Sequence, residues 1–288
     1  MKVAGFTFIR NAIRYDFPVA EAIRSVLPLC DAFFVASGDS EDDSEALLRE
    51  LCPNKIRIIH TVWNTGQSRG GSVYAEETNK AFDAIPSGYD WCFYIQGDEV
   101  VHEKDIPVIE QAMQLNLNDP GVEGLVFRYL HFYGTFDYVA DSRKWYRREV
   151  RIIRNDKTIR SYRDAQGFRR NGRKLKARLV DAAVYHYGWV RHPRYMNDKI
   201  EEVRQFYERA HGDKKVQDFN YSLSYDSLKK FTGSHPAVMK ERIERLNWKV
   251  EIDTGRRNLK WKYRLLYWFE KITGIRPFEF RNYRLLKS

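Results

Sequence analysis

The stretch DWCFYIQGDEVVHE, residues 90–103, contains an apolar segment that ends at two adjacent acids. Its first half, WCFYIQ, has the aromatic and β-branched composition of a buried strand. Gly97 leaves room for a ligand to approach the backbone, and Asp98 and Glu99 follow directly. Carboxylates in this place suit a hard divalent cation, which usually also binds substrate phosphates. A solvated turn after the strand is the alternative that this stretch alone leaves open.

Three similar apolar segments precede this one, and helical patterns separate them. Such an alternation predicts an α/β fold with a parallel sheet, in which ligands bind at the carboxyl ends of the strands. Asp98 lies at such an end. The predicted strands cover residues 2–9, 31–37, 55–63 and 91–96, and the predicted helices cover residues 18–29, 44–51 and 75–85.

The pattern changes after residue 103, where strand-like segments follow one another more closely. They predict antiparallel additions to the sheet. From residue 195 onward the chain is polar and helical, and we predict no further strand there. We therefore expect an α/β domain over residues 1–190 and a helical C-terminal extension over residues 191–288. The added strands are predicted in residues 124–134, 149–155, 158–164 and 182–190, after a helix in residues 105–116.

The composition limits the compartment and the partners. The 288 residues carry a formal net charge of +10, which favours an anionic partner such as nucleic acid, a membrane surface or a phosphorylated small molecule. Cys30, Cys52 and Cys92 form no CxxC pair, so neither a zinc site nor a disulfide framework is predicted. Arg10 stands where a signal peptide would need its apolar core. We expect a cytoplasmic protein, with peripheral contact to the inner face of a membrane as an additional expectation.

The order of these segments resembles the family 2 glycosyltransferases with the GT-A fold, and is closest to the short lipopolysaccharide-core type. In that family a first strand ends near an Asn, as in FIRNA, and a second strand runs into an acidic loop, as in VASGDSEDDS. A glycine-containing loop, here GQSRGG, precedes the motif DWxxxLDADE, here DWCFYIQGDE. An arginine-rich strand follows, here RREVRIIRN. The resemblance covers residues 3–104 and is weaker over residues 125–190.

This resemblance implies a GT-A-like catalytic domain that transfers a sugar from a nucleotide-sugar donor. The implied acceptor is a glycan or a lipid-linked glycan of the cell envelope, and the implied reaction inverts the sugar with help from Mg²⁺ or Mn²⁺. Gln96 departs from the family, because it replaces the first acid of the Asp-x-Asp motif with an uncharged amide. Asp98 is therefore the expected metal ligand, and Glu99 either supports the metal site or faces the acceptor.

The resemblance also implies further residues of the donor site. A late histidine completes the metal site in some GT-A enzymes, which points to His186, whereas a packed core histidine is the alternative. His131 is expected in the core or in the acceptor cleft. The residues expected to bind the nucleotide, together with Gln96 and Asp98, are Asn11, Ser37, Asp39 and Arg69.

An inverting transfer needs one general base at the acceptor hydroxyl. Asp164 is our prediction, because it lies nearest to the position of the family's HE segment. Asp137 and Asp141 are the alternatives, because they lie in an aromatic loop that would cover an acceptor. Glu149 is a further candidate, but we expect it to pair with a neighbouring arginine, Arg147 or Arg151.

Two other functions compete with this interpretation. Residues 143–178 are strongly basic and contain aromatic residues, a pattern also found in nucleic-acid-binding proteins. That function leaves the acids after the strand unexplained, so no nucleic-acid partner is expected. A sugar-nucleotide nucleotidyltransferase would need a glycine-rich N-terminal loop ending in arginine, and GFTFIRNAIR lacks it.

The last segment contains a basic, aromatic and amphipathic helix that we expect to end at Gly274. Its apolar residues recur at helical spacing. We predict that this stripe packs on the catalytic domain, with the basic edge left available for an anionic membrane. Contact of the stripe itself with lipid is the alternative. The stripe consists of Trp261, Leu265, Trp268 and Ile272.

Overall fold

The computed structural model describes residues 1–67, 70–207 and 219–287. Within these ranges the strands form one 13-stranded mixed sheet, and helices flank it. The predicted α/β class is confirmed, with a parallel first part and antiparallel additions. The first part consists of β1 Val3–Ile9, α1 Val19–Val26, β2 Ala32–Ser37, α2 Ser44–Leu51, β3 Ile56–His60, α3 Ser72–Asp83 and β4 Trp91–Tyr94.

The first four strands are parallel and run in the order β3–β2–β1–β4. Alternate residues of β1 and β2 enter two different apolar clusters, one with α1 and one with α3. These strands are apolar along nearly their whole length because helices cover both faces of the sheet. The carboxyl ends of β1 and β4 are therefore neighbours, which places Arg10 near Gln96 and Asp98.

The second part adds antiparallel strands. β4 pairs with β8, β8 with β6, and β6 runs parallel to the long β11. The sequence predicted only the end of β11, because charged residues at every second position give its first half a polar appearance. It also missed the short strand β10. The elements are β5 Glu99–Val101, α4 Ile106–Leu115, β6 Gly124–Tyr133, β7 Thr135–Ala140, β8 Arg148–Arg154, β9 Ile159–Tyr162, β10 Gly167–Arg170 and β11 Arg173–Trp189.

The segment after residue 190 contributes strands as well as helices, which the sequence did not predict. β12 pairs with β7, and β13 pairs with β11. Each has three residues, too few for a periodic pattern to reveal. No helix in the described ranges is both long and apolar enough to cross a membrane. The elements are α5 Pro193–Tyr207, β12 Leu228–Lys230, α6 Lys240–Glu244, α7 Trp261–Thr273 and β13 Tyr283–Leu285.

Helix α7 contacts the rest of the protein through polar side chains. The Tyr267 hydroxyl and the Lys271 ammonium donate to the two carboxylate oxygens of Asp141. Arg143 donates to Glu270 at 2.8 Å. The predicted packing of the apolar stripe is therefore wrong, because the stripe points away from the domain. The exposed fractions of its members are 75% for Trp261, 59% for Leu265, 64% for Trp268 and 63% for Ile272.

Candidate active site

A cavity of about 390 Å³ lies where β1 and β4 end. Helix α5 contributes Lys199 to its lining, and the end of β11 contributes Trp189. A crevice at the carboxyl ends of parallel strands is the usual ligand site of such sheets. Four of the residues that the sequence singled out line this one cavity: Gln96, Asp98, Asp164 and His186.

A chain of hydrogen bonds fixes the ring of His186. His131 Nε2 lies 2.7 Å from the Tyr146 carbonyl oxygen, so it must donate to that oxygen. Burial holds the pKa of His131 well below its usual range, so its Nδ1 carries no proton. That atom lies 3.2 Å from His186 Nδ1 and accepts its proton. His186 Nδ1 therefore carries a proton, and because burial lowers the pKa of His186, its Nε2 is the unprotonated nitrogen of the ring.

Asp98 and His186 face each other with little between them. His186 Nε2 lies 3.7 Å from Asp98 Oδ2. A Cβ at Gly188 would stand 2.5 Å from that oxygen and 2.8 Å from the nitrogen. Any side chain at position 188 would therefore collide with both groups. The glycine keeps the space beside them open.

The charges around Asp98 keep it ionised. Burial raises the pKa of Asp98, but His186 in its protonated form and two nearby cations, Lys199 and Arg191, outweigh this effect and leave the pKa below its ordinary value. One of these cations is Lys199, whose ammonium lies 3.9 Å from Asp98 Oδ2. Lys199 also donates to the Gly188 carbonyl at 2.8 Å. Burial, with a smaller effect of Arg191, lowers the pKa of Lys199 to about 7.

The Asp98–His186 pair fits a divalent cation. A neutral imidazole nitrogen and a carboxylate oxygen are both electron-pair donors, and they face each other at 3.7 Å. Mg²⁺ and similar ions often take one or two protein ligands and complete their shell with substrate phosphates and water. Among the described residues, no group of three or more His, Cys, Asp and Glu side chains is placed to hold a metal. The pair therefore suits a cation that takes its other ligands from a bound diphosphate.

Glu99 lies behind the cavity rather than in it. Its side chain is fully buried and forms a two-point ion pair with Arg151, at 2.8 and 2.7 Å. The Tyr129 hydroxyl and the backbone N–H of Gln96 also donate to the Glu99 carboxylate oxygens. Glu99 therefore supports the turn that carries Gln96 and Asp98, and it does not face an acceptor. The ion pair also neutralises the charge of Arg151, one of the arginines of β8.

Asp164 sits in a tight turn at the edge of the cavity. Its neighbours Arg163 and Ala165 have φ angles of 57° and 60°, in the left-handed region that side chains other than glycine rarely adopt. The Tyr207 hydroxyl of α5 donates to Asp164 Oδ2 at 3.1 Å. Backbone strain of this kind concentrates at functional sites, where the surrounding structure maintains it. The turn holds the Asp164 carboxylate at the same cavity as Asp98.

The other predicted bases lie elsewhere. Asp137 is exposed on β7, where it accepts from Thr135, and it does not line the cavity. Asp141 is held by α7. Glu149 is buried and accepts from Asn282 at 3.1 Å, and burial raises its pKa to about 8. The expected pairing of Glu149 with a neighbouring arginine is wrong, because Arg147 pairs with Glu279 and Arg151 pairs with Glu99.

Of the residues predicted to bind the nucleotide, Gln96 and Asp98 line the cavity, whereas Asn11, Ser37 and Asp39 are not among its lining residues. Asn11 accepts from the Glu41 amide at 2.7 Å and so ties the loop after β2 to the end of β1. Ser37 is buried, and its hydroxyl has no hydrogen-bond partner among the described residues. Asp39 pairs at 3.2 Å with Arg10, which does line the cavity. Arg69 lies outside the described residues.

Sequence reasoning missed the contribution of α5. Lys199, Glu202 and Tyr207 all line the cavity, although the helix follows the predicted domain boundary. Glu202 pairs with Arg10 at 3.2 Å and fixes the helix over the end of β1. The pattern of α5 is that of an ordinary polar helix, so no signal in the sequence marks these residues as inward-facing.

The basic stretch of residues 143–178 is extensively neutralised by acids. Its arginines pair with carboxylates from several parts of the chain, so the stretch does not form one free cationic face. These pairs include Arg143–Glu270, Arg147–Glu279, Arg160–Asp83, Arg170–Glu123 and Arg173–Glu123.

No family model and no curated protein matches this chain. It is similar to S. aureus TarS 1-349 at 12% identity and a TM-score of 0.38, over 70% of this chain and 64% of that chain. It is similar to S. aureus TarS at 13% identity and a TM-score of 0.39, over 71% of this chain and 39% of that chain. It is also similar to glucosyl-3-phosphoglycerate synthase from Mycobacterium tuberculosis, in a complex with Mn²⁺, uridine diphosphate and phosphoglyceric acid. The identity is 15% and the TM-score 0.30, over 45% of this chain and 43% of that chain. The alignment thus spans less than two thirds of each of these structures.

Proposed function

We propose that this protein is a GT-A-type glycosyltransferase that transfers a sugar from a nucleotide-sugar donor to a hydroxyl of a glycan or lipid-linked acceptor, with inversion. The observation that carries the proposal is the content of one cavity. Asp98 and His186 are placed to bind a divalent cation, and Lys199 adds an ammonium beside them. Together they suit a diphosphate. Asp164, from a distant part of the chain, supplies a separate carboxylate to the same cavity.

The donor half of the reaction needs positive charge, because the leaving diphosphate gains negative charge as the sugar departs. Lys199 can donate to a diphosphate oxygen from inside the cavity, where low polarity strengthens the interaction. Asp98 and His186 are the residues that would hold a divalent cation, which when bound neutralises the diphosphate as a Lewis acid. His131 positions His186 by fixing which nitrogen faces the cavity.

The acceptor half needs one base. Asp164 accepts the proton of the attacking hydroxyl, which increases the nucleophilicity of that oxygen. Tyr207 donates to one oxygen of Asp164 and leaves the other available for the acceptor. A single base and direct displacement at the sugar carbon give inversion.

The proposal is tested by incubating the protein with a panel of nucleotide sugars, with and without Mg²⁺ or Mn²⁺, and measuring the released nucleoside diphosphate. We expect slow hydrolysis of one donor class. Asp98→Asn should lower that rate roughly 100-fold or more, because it removes a carboxylate that fixes the positive charge at the leaving group. Asp137→Asn is the matched control, because Asp137 is exposed and lies outside the cavity.

Hydrolysis that is equal in the wild-type, Asp98→Asn and Asp137→Asn proteins would refute the donor site. A protein that binds no nucleotide sugar but binds nucleic acid, with affinity falling steeply as salt is added, would favour the competing function.

A further inference from the structure

Among the described residues, the exposed apolar side chains are concentrated around α7. Eighteen large apolar or aromatic side chains of the described residues are exposed, and nine of them lie between residues 261 and 280. Soluble proteins rarely expose a contiguous apolar patch of this kind, so the concentration indicates a surface that meets another apolar phase. The nine are Trp261, Tyr263, Leu265, Trp268, Phe269, Ile272, Ile275, Phe278 and Phe280.

The orientation of α7 is fixed from its polar side. Tyr267, Glu270 and Lys271 bind Asp141 and Arg143, so this side faces the domain. An α-helix turns about 100° per residue, so the stripe of Trp261, Leu265, Trp268 and Ile272 lies on the opposite side. Because the polar contacts hold the helix in place, the apolar stripe faces outward.

The charges around the stripe are of one sign. Lys262 and Arg264 are exposed, and the turn of the helix puts them on either side of the stripe. The two acids between residues 255 and 287 are Glu270 and Glu279. Both form ion pairs with arginines of the domain, including Arg143 and Arg147. The outward surface therefore combines aromatic rings with uncompensated positive charge.

We propose that α7 and residues 275–280 lie flat on an anionic lipid bilayer. Trp and Phe side chains insert at the boundary between headgroups and acyl chains, and flanking cations meet the lipid phosphates. The charge pattern favours a bilayer over a second copy of this chain. A symmetric contact through the stripe would place Lys262 and Arg264 of both copies in one interface, and like charges in an interface oppose association.

The test is co-sedimentation of the full chain with vesicles of phosphatidylcholine alone or mixed with phosphatidylglycerol. We expect binding to the mixed vesicles and little binding to the neutral ones. Leu265→Ser/Trp268→Ser should lower the partition coefficient roughly 10-fold or more, because it removes apolar area that inserts. Lys262→Gln/Arg264→Gln should lower it roughly 30-fold, about fivefold per lost cation.

Two matched controls test whether losing exposed apolar side chains or exposed cations anywhere on the protein has the same effect on vesicle binding. Leu115→Ser/Leu223→Ser removes apolar side chains that are 75% and 68% exposed elsewhere, and it should bind like the wild type. Arg24→Gln/Arg57→Gln removes two exposed cations, one from α1 and one from β3, and it should also bind normally. All variants should melt at the wild-type temperature, because these side chains are exposed.

Three results would overturn the proposal. The first is wild-type protein that stays in the supernatant with anionic vesicles. The second is a Leu265→Ser/Trp268→Ser protein that still sediments like the wild type. The third is a wild-type dimer that becomes monomeric in the same variant without lipid, which would make this face a contact between copies.

Discussion

Helices α5 and α7 both follow residue 190 and both combine basic and apolar residues, yet only α5 buries apolar side chains against the rest of the protein. Helix α5 places Lys199 inside the cavity, beside Asp98 and the Gly188 carbonyl. Helix α7 places Tyr267 and Lys271 against Asp141 and leaves Trp268 in solvent. The surface that each helix meets decides this, because Met196 and Phe206 of α5 enter apolar clusters, whereas α7 meets Asp141 and Arg143 through polar contacts.

Both arrangements depart from the usual distribution of side chains, and each departure costs free energy. A buried ammonium is disfavoured unless it is paired, and exposed aromatic stripes are disfavoured in water. Asp98 compensates Lys199 in part, but nothing in the described structure covers the stripe of α7. The comparison teaches that one helix belongs to the cavity and the other to an outside surface. Three predictions test this division.

The largest effect is expected at Asp164, which α5 contacts through Tyr207. Asp164→Asn should lower the rate of transfer to an acceptor by ~10²–10⁴, because the base is lost, while donor binding stays unchanged. Asp141→Asn, at the carboxylate that α7 contacts, is the control and should transfer normally. The measurement is product formation at saturating donor. If the two variants exchange these outcomes, the base lies beneath α7 and the division fails.

The second effect concerns the segment that follows α7 and returns to the sheet, where Asn282 binds Glu149. Burial raises the pKa of Glu149 to about 8, so the folded protein holds a proton that the unfolded chain releases above about pH 4.3. The unfolded state then binds fewer protons, so this residue makes stability fall as pH rises from about 4.3 to 8. The loss is at most ~1.4 kcal/mol per pH unit.

Glu149→Gln removes this contribution, because an amide does not titrate. The melting temperature of the variant relative to the wild type should therefore increase steadily from pH 5 to pH 8 and then level off. Melting curves across this range provide the measurement. A difference that stays constant with pH would show that Glu149 is ionised in the folded protein.

The smallest effect is expected on the affinity for a nucleoside diphosphate, when one lysine of each helix is replaced. Lys199→Met should weaken binding of a nucleoside diphosphate roughly 10- to 100-fold, the usual worth of a hydrogen bond to a charged group. Lys271→Met should leave this affinity unchanged, because Lys271 binds Asp141 outside the main cavity. Titration calorimetry with the diphosphate measures both. Equal losses in the two variants would mean that the lysines act only through the net charge of the protein.

Much of the parallel part of the fold was predictable from the sequence. The apolar strands at residues 3–9, 32–37 and 91–94 are buried on both faces, so they appear as nearly continuous apolar runs. The first half of β11 was missed, because one face of it carries long charged side chains. β10 was missed because two of its four residues are arginines. β12 and β13 were missed because strands of three residues have no period. Their pairing partners hold them in the sheet.

The candidate site was predictable in part. Asp98 and Gln96 follow a strand whose end the sequence marks, and His186 and Asp164 were predicted from the family resemblance. The structure places all four at one cavity. Lys199 and the positioning role of His131 were not predictable, because both depend on which element packs over the strand ends. The role of Lys199 is a prediction that the Lys199→Met variant tests.

The sequence by itself determined the class of the fold, the strand that delivers Asp98, and the existence of an amphipathic helix ending at Gly274. These features are local, because apolar periodicity and turn residues act over a few neighbouring positions. Only the tertiary structure decided that Glu99 is a buried ion-pair partner, that α5 completes the cavity, and that the stripe of α7 faces outward. Each of these depends on groups far apart in the chain, such as Arg151 for Glu99 and Asp141 for Tyr267. The energy of such contacts depends on burial and distance, which a linear sequence does not specify.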